Sequence, residues 1–248
     1  MNYAKRDFDD DVITLLKEVG VNEHLIHFAK TNIERNDVAH WFDHVGAVVK
    51  QGLFLSKLVT VESSKDIADK CNRIVATAAL LHDTACWMDR DRHHEIAAEW
   101  IMDTLDNQES LDFYGLIPDE VPIIAKAILE HRASWQLKRS CLESEIVAAA
   151  DRGKLEYEEC LRRSYLYGRF KKGLDPDQAL THACEHIAEK FGVRGYAYEN
   201  LPKLCLMAQD DINLLRNQAM DKKLGRSIII KHRDAWEKFY QEVKHASE

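Results

Sequence analysis

Residues 64–87 read SKDIADKCNRIVATAALLHDTACW, and the organisation of the chain can be worked outward from them. Ser63 or Ser64 offers an N-cap. Ile67, Cys71, Ile74 and Ala78 then recur at steps of three and four, which is one face of an α-helix. His82 falls next in step on that face, and Asp83 follows it at the helix end. An ionisable group carried on an apolar stripe costs several kcal/mol to bury unless it is paired or bound to a cation. This helix therefore ends in groups that need a partner.

The same pattern recurs on either side. Trp41, Val45, Val48, Leu55 and Leu58 predict a helix from near Val38 to about Leu58, with His44 on its apolar side. A helix from His93 to about Leu105 follows the HD pair. Residues 106–117 read as a loop. Asp119 and Pro122 open a helix whose stripe, Val121, Ile124 and Ile128, leads to His131. Ser140-x-x-Glu143 is a capping-box pattern and predicts a helix carrying Ile146, Val147, Ala150 and Asp151. At the front, residues 9–19 form a helix stopped at Gly20, and Asn22 caps a second that runs to Ile33. Beyond 160, Asp175-Pro176-Asp177-Gln178 starts a helix that stops at Gly192, and two more fill roughly 199–220 and 227–245. Glycine (10) and proline (4) are scarce, which favours long helices over many short strands. The expected fold is all-α: a single compact helical bundle with a C-terminal helical extension, divided as N-terminal helices (1–36), a core (37–160) and a C-terminal layer of the same domain (161–248).

Composition narrows the function. Apolar residues are 46% of the 248, enough for a real core. The net charge of −8 disfavours non-specific binding of a nucleic-acid backbone, yet leaves room for a small phosphorylated substrate met by a local basic pocket. Six cysteines with no C-x-x-C pair fit reduced thiols. The first residues, MNYAKRDFDDDV, contain no apolar leader core, and no apolar run approaches 18 residues. The expected setting is cytoplasmic, without a membrane partner, and the chain is compatible with a homo-oligomer.

Three predicted helices bring His44, His82-Asp83 and Asp151 onto apolar stripes. One such group could be satisfied by a hydrogen bond, but three sets suggest a shared cation. Two imidazoles and two carboxylates suit a divalent transition metal. The segments HWFDHVGAVV (40–49), AALLHDTACW (78–87), HHEIAAEWI (93–101), AILEH (127–131) and IVAAADRGKLE (146–156) together resemble the HD superfamily of metal-dependent phosphohydrolases, over roughly residues 38–160.

That resemblance implies an HD-type bundle in which His44, His82, Asp83 and Asp151 hold a metal: Mn, Co, Fe, Ni or Zn, with Mg also allowed. It implies that His93 and His131 either bind a second ion, bridged by Asp83, or face the substrate phosphate. The short stretch between His82 and His93 tips the expectation towards one ion. His40, one turn before His44, lines such sites, and His94 is the other inward-facing alternative at the start of its helix. Arg132, Lys138 and Lys154 are the phosphate-binding candidates. His182 and His186, at i and i+4, read as a solvated face, as does most of the basic run Arg162, Arg163, Arg169, Lys171 and Lys172. Trp87 and Trp135 are expected to flank the site.

The activity implied is hydrolysis of a phosphoester or phosphoanhydride, with a nucleotide as the expected substrate class. Two rivals remain. One is a mixed-valent di-iron oxygenase, since six ligands in the order H…HD…H…H…D occur in that branch of the fold. The other is a non-catalytic regulatory module, against which the intact ligand set argues.

Overall fold

The computed structural model describes residues 7–37, 40–152, 156–198 and 201–245, and among them it contains twelve α-helices, three short 3-10 turns and no strand. The helices are α1 (Asp10–Glu18), α2 (Glu23–Ile33), α3 (Phe42–Val59), α4 (Lys65–Leu81), α5 (His93–Asp103), α6 (Gln108–Tyr114), α7 (Val121–Leu129), α8 (Leu142–Arg152), α9 (Tyr157–Phe170), α10 (Pro176–Phe191), α11 (Gln209–Met220) and α12 (Lys222–His245). The all-α expectation holds. No helix among the described residues is long and apolar enough to cross a membrane.

Local chemistry accounts for several of the boundaries. The Asn22 side chain accepts from the His24 backbone N–H and starts α2. Asp175 and Gln178 form a complete capping box ahead of Pro176 at the start of α10. Several expectations need correction. Residues 108–114 form α6 rather than a loop: Asn107 caps it, and Gly115 ends it in the left-handed region at φ 63°. Helix α3 begins at Phe42 with Trp41 as N-cap, so His40 precedes the helix; Val38, the expected start, lies outside the described residues. Helix α9 had no counterpart in the sequence reading. The expected 199–220 helix is a 3-10 turn (Lys203–Ala208) followed by α11. The apolar stripe of α4 holds at Cys71, Ile74 and Ala78, whereas Ile67 is 59% exposed because the first turn overshoots the core.

Helix α3 packs on α4 and α8, and α7 closes the other side against α4, α5 and α8. These helices cross closely at Gly52, where an added Cβ would stand 3.0 Å from a Val75 methyl and 3.7 Å from Ala150. That contact draws the helices carrying His44, His82 and Asp151 together. Arg73 of α4 forks onto the buried Glu120 ahead of α7, with bonds of 2.9 and 2.5 Å. A second layer, α9, α10 and α12, covers one end of the bundle. Its hub is Glu237, which accepts from the Tyr165 hydroxyl (2.5 Å) and from Arg169 (2.7 and 2.8 Å), joining α9 to α12.

Candidate metal centre

Five elements deliver the site. His44 lies in the first turn of α3, His82 is the C-cap of α4 with Asp83 next, and His93 opens α5. His131 follows the end of α7, and Asp151 lies in the last turn of α8. The Asp83 carboxylate sits at the centre and divides its oxygens. Oδ2 is 3.3 Å from His82 Nε2 and 3.4 Å from His44 Nε2. Oδ1 is 3.2 Å from His93 Nε2 and 3.9 Å from His131 Nε2. Asp151 Oδ1 adds contacts of 3.2 Å to His44 and 3.8 Å to His82. The two imidazole pairs, His44/His82 and His93/His131, hold their Nε2 atoms 3.4 and 3.2 Å apart.

This donor set fits a divalent ion. Atoms bound to one ion at about 2.1 Å stand roughly 3.0–3.4 Å apart for right-angled to tetrahedral arrangements, close to most of the separations here. The ring nitrogens point the same way. His82, His93 and His131 each donate Nδ1–H to the carbonyl three residues back, of Ala79 (2.7 Å), Arg90 (2.6 Å) and Ile128 (2.6 Å). Held in this way, a ring that is neutral would turn a bare Nε2 lone pair towards the centre, as a metal ligand must. Two such lone pairs 3.2 Å apart repel unless a proton or a cation lies between them. His131 stands past the end of α7 and bonds the Ile128 carbonyl as a neutral ring: burial, then His82 and His93, push its pKa well down. His82 moves the other way. Burial disfavours its charge, but Asp83 and Asp151 more than offset this and carry it to about 9. Asp83 and Asp151 are held well below the usual carboxylate range, because the surrounding imidazoles outweigh the burial that opposes ionisation. His44 differs from the other three: its Nδ1 accepts from Arg163 at 3.1 Å.

His40 lines the same cavity although it lies off the helix. Asp37 holds its Nδ1 at 3.0 Å, and Arg90 bonds Asp37 at 3.1 Å. Burial lowers the His40 pKa to about 4 against the pull of Asp37 and Asp83, so the ring is neutral. Cys86, which the sequence reading took only as a reduced thiol, donates Sγ–H to Asp83 Oδ1 at 3.4 Å. The buried Asn36 was also missed. Its amide donates to the carbonyls of His40 (3.1 Å) and Asp83 (2.9 Å) and clips the two segments together.

The remaining expectations divide. Arg132 lines the cavity and donates to the Asp91 carbonyl. Lys138 is exposed and away from the cavity lining, since the segment after His131 turns outward before α8. Lys154 lies outside the described residues. His94 is buried behind His93 and His131, edge-on to both, without reaching the cavity lining. His182 and His186 do not form a solvated face: both line the cavity, with Lys190 next in the same i+4 row. In the basic run, Arg163 and Lys172 line the cavity, whereas Arg162 is buried on Glu159 and Asp43. Trp87 packs under Arg35 and Trp135 is also outside the lining. The aromatic walls are instead Tyr167, Phe191 and Tyr196. The cavity measures about 620 Å³, within the ordinary range for small-molecule sites.

A family model, the HD domain, matches residues 58–153. The matched segment is similar to the HD domain and contains His82, Asp83, His93, His131 and Asp151. His40, His44 and helices α9–α12 lie outside the match. No curated protein and no solved structure matches the chain.

Proposed function

We propose that this protein is a metal-dependent phosphohydrolase acting on a phosphoester or phosphoanhydride of a small molecule, with a nucleotide as the expected class. The observation that carries the reading is the division of the Asp83 oxygens between two imidazole pairs at the floor of a cavity whose wall is cationic. His44, His82, Asp83 and Asp151 would hold one ion; His93, His131 and the other oxygen of Asp83 would hold a second. The short stretch after His82 does not keep His93 away, since its Nε2 stands 3.2 Å from Asp83, so the reading shifts from one ion to two. Ions held there supply Lewis acidity to a phosphoryl oxygen and a water of lowered pKa.

The protein's own groups do the rest. Arg132 and Arg163 face the cavity as donors for the phosphate oxygens. His40, neutral and backed by Asp37, is placed to take a proton from the cavity. Tyr167, stacked by Arg90 with the guanidinium 4.2 Å from its ring centre, offers a flat surface to a base or sugar.

The test is a metal-by-substrate screen. Chelator-treated protein is reconstituted with Mn, Co, Fe, Ni, Zn or Mg and offered a nucleotide panel, with phosphate or pyrophosphate release measured. No release with any combination overturns the proposal. The convergence of six ligand-type side chains also suits a di-iron oxygenase. Oxygen uptake with two irons per chain, and no phosphate release, would establish that reading instead.

A further inference from the structure

We propose that the cavity wall built by α9 and α10 is a subsite for a second anionic group, so that the substrate carries at least one phosphate beyond the one that is cleaved. The assignment of a cleaved phosphate rests on the hydrolytic reading above; the anion subsite stands on its own geometry.

Six cations line the cavity: Arg90, Arg132, Arg152, Arg163, Lys172 and Lys190. Three carboxylates face them, and two of these, Asp83 and Asp151, are committed to the histidine cluster; the third is Asp91. Arg90 alone of the six has a carboxylate partner among the described residues, Asp37. Arg163 rests on the His44 ring, while the exposed Lys172 and the more sheltered Lys190 stand by the rings of Tyr167 (5.9 Å) and Phe191 (5.2 Å), with Asp151 the acid whose charge reaches Lys190. Arg152 is 6% exposed. It gives Nη1 to the Ala148 carbonyl and leaves Nε and Nη2 buried with no partner among the described residues. His182 Nε2 is buried in the same condition.

Sheltered like charges without counter-charge are unfavourable. Burial and the neighbouring Arg163 already pull the Lys190 ammonium towards its neutral form. A bound polyanion removes the conflict through charge-assisted hydrogen bonds. One phosphate at the histidine cluster would be met by Arg163 of α9 and would leave Lys172 and Lys190 without an anion, because these two come from the second layer and not from the helices that carry the ligands. Another metal is a poor occupant for this wall, which offers imidazoles among ammonium and guanidinium groups.

The experiment is calorimetric titration of the full chain, with Mg²⁺ in excess, using inorganic phosphate and inorganic tripolyphosphate as probes. Tripolyphosphate is expected to bind at least tenfold more tightly than phosphate. Lys172→Ala, an exposed change that the fold tolerates, should reduce that ratio several-fold. Lys172→Ala with Lys190→Met should reduce it tenfold or more, and Lys190→Arg should keep most of it. A wild-type ratio near one, or a ratio unchanged in Lys172→Ala and in the double variant, overturns the subsite. Selective tripolyphosphate binding by a protein that fails the metal-by-substrate screen keeps the subsite and removes the hydrolytic reading. Hydrolysis with a flat ratio does the reverse.

Discussion

Replacing Asp83 by asparagine tests the metal centre at its narrowest point. The change keeps the side-chain shape but removes the charge and turns one of the two oxygens into an amide nitrogen that cannot act as a ligand. Those oxygens stand 3.2–3.4 Å from His93, His82 and His44, so both imidazole pairs lose their shared anion. For the unaltered protein, metal at 100 times its Kd stabilises the fold by about 2.7 kcal/mol. In a chain of 248 residues each kcal/mol moves Tm by about 2–4 °C, so adding Mn²⁺ to chelator-treated protein should raise Tm by roughly 5–11 °C. In Asp83→Asn the rise should fall to a small fraction of this, with helical content by circular dichroism unchanged. His131→Ala is the informative contrast. It leaves His44, His82, Asp151 and Asp83 Oδ2 in place, so much of the rise should persist while metal per chain drops by one equivalent. If Asp83→Asn keeps both the full thermal shift and its bound metal, the reasoning fails at its centre.

Three further outcomes are expected. His40→Ala should keep its metal by elemental analysis and lose about 10²-fold or more in kcat, the usual scale for losing a general acid or base; unchanged rate constants would remove His40 from the chemistry. Glu237→Ala strands the buried Tyr165 hydroxyl and the Arg169 guanidinium, at a cost of about 2–4 kcal/mol. Thermal melts should show it as a clear fall in Tm, and a shift within error would show that the α9–α12 tie is idle. Gly52→Leu drives a side chain into Val75 and Ala150, costs about 1–3 kcal/mol by overpacking, and should weaken Mn²⁺ binding as α3 is levered off α4 and α8; an unchanged Tm and metal affinity would refute the close-packing argument.

The convergence of His44, His82, Asp83 and Asp151 was legible because each member extends an apolar stripe or ends an apolar run, and burial of an ionisable group leaves that trace in a sequence. Caps with a defined side-chain bond, Asn22 and Asp175, were legible for the same local reason. The misses are those in which a distant partner decides the outcome. Helix α9, YEECLRRSYLYGRF, is too polar for a clean stripe; its inward face depends on Glu237 of α12 and on the packing of α10. Lys190 looks like a solvated cation until α9 and α10 close around it, whereas Lys172 lines the cavity and stays exposed. The row His182, His186, Lys190 carried a signal, since three residues at steps of four share one helix face. Asn107 and Gly115 marked a helix as well, but one of seven residues is too short for periodicity to speak.

The crossing of α3 with α8 has a consequence for synthesis. The two ends of the metal centre lie far apart in the chain, at positions 44 and 151, and meet only when α8 docks beside Gly52. At about 5–20 residues per second the ribosome needs roughly 3–14 s to travel from Asp83 to Asp151. Throughout that interval the apolar faces of α3 and α4 have no α8 to cover them, and His44 and His82 have no Asp151. The nascent chain is therefore most exposed to mispairing before its seventh and eighth helices emerge, and the cluster of His44, His82 and Asp151 is completed in the last stage of folding rather than in its nucleus.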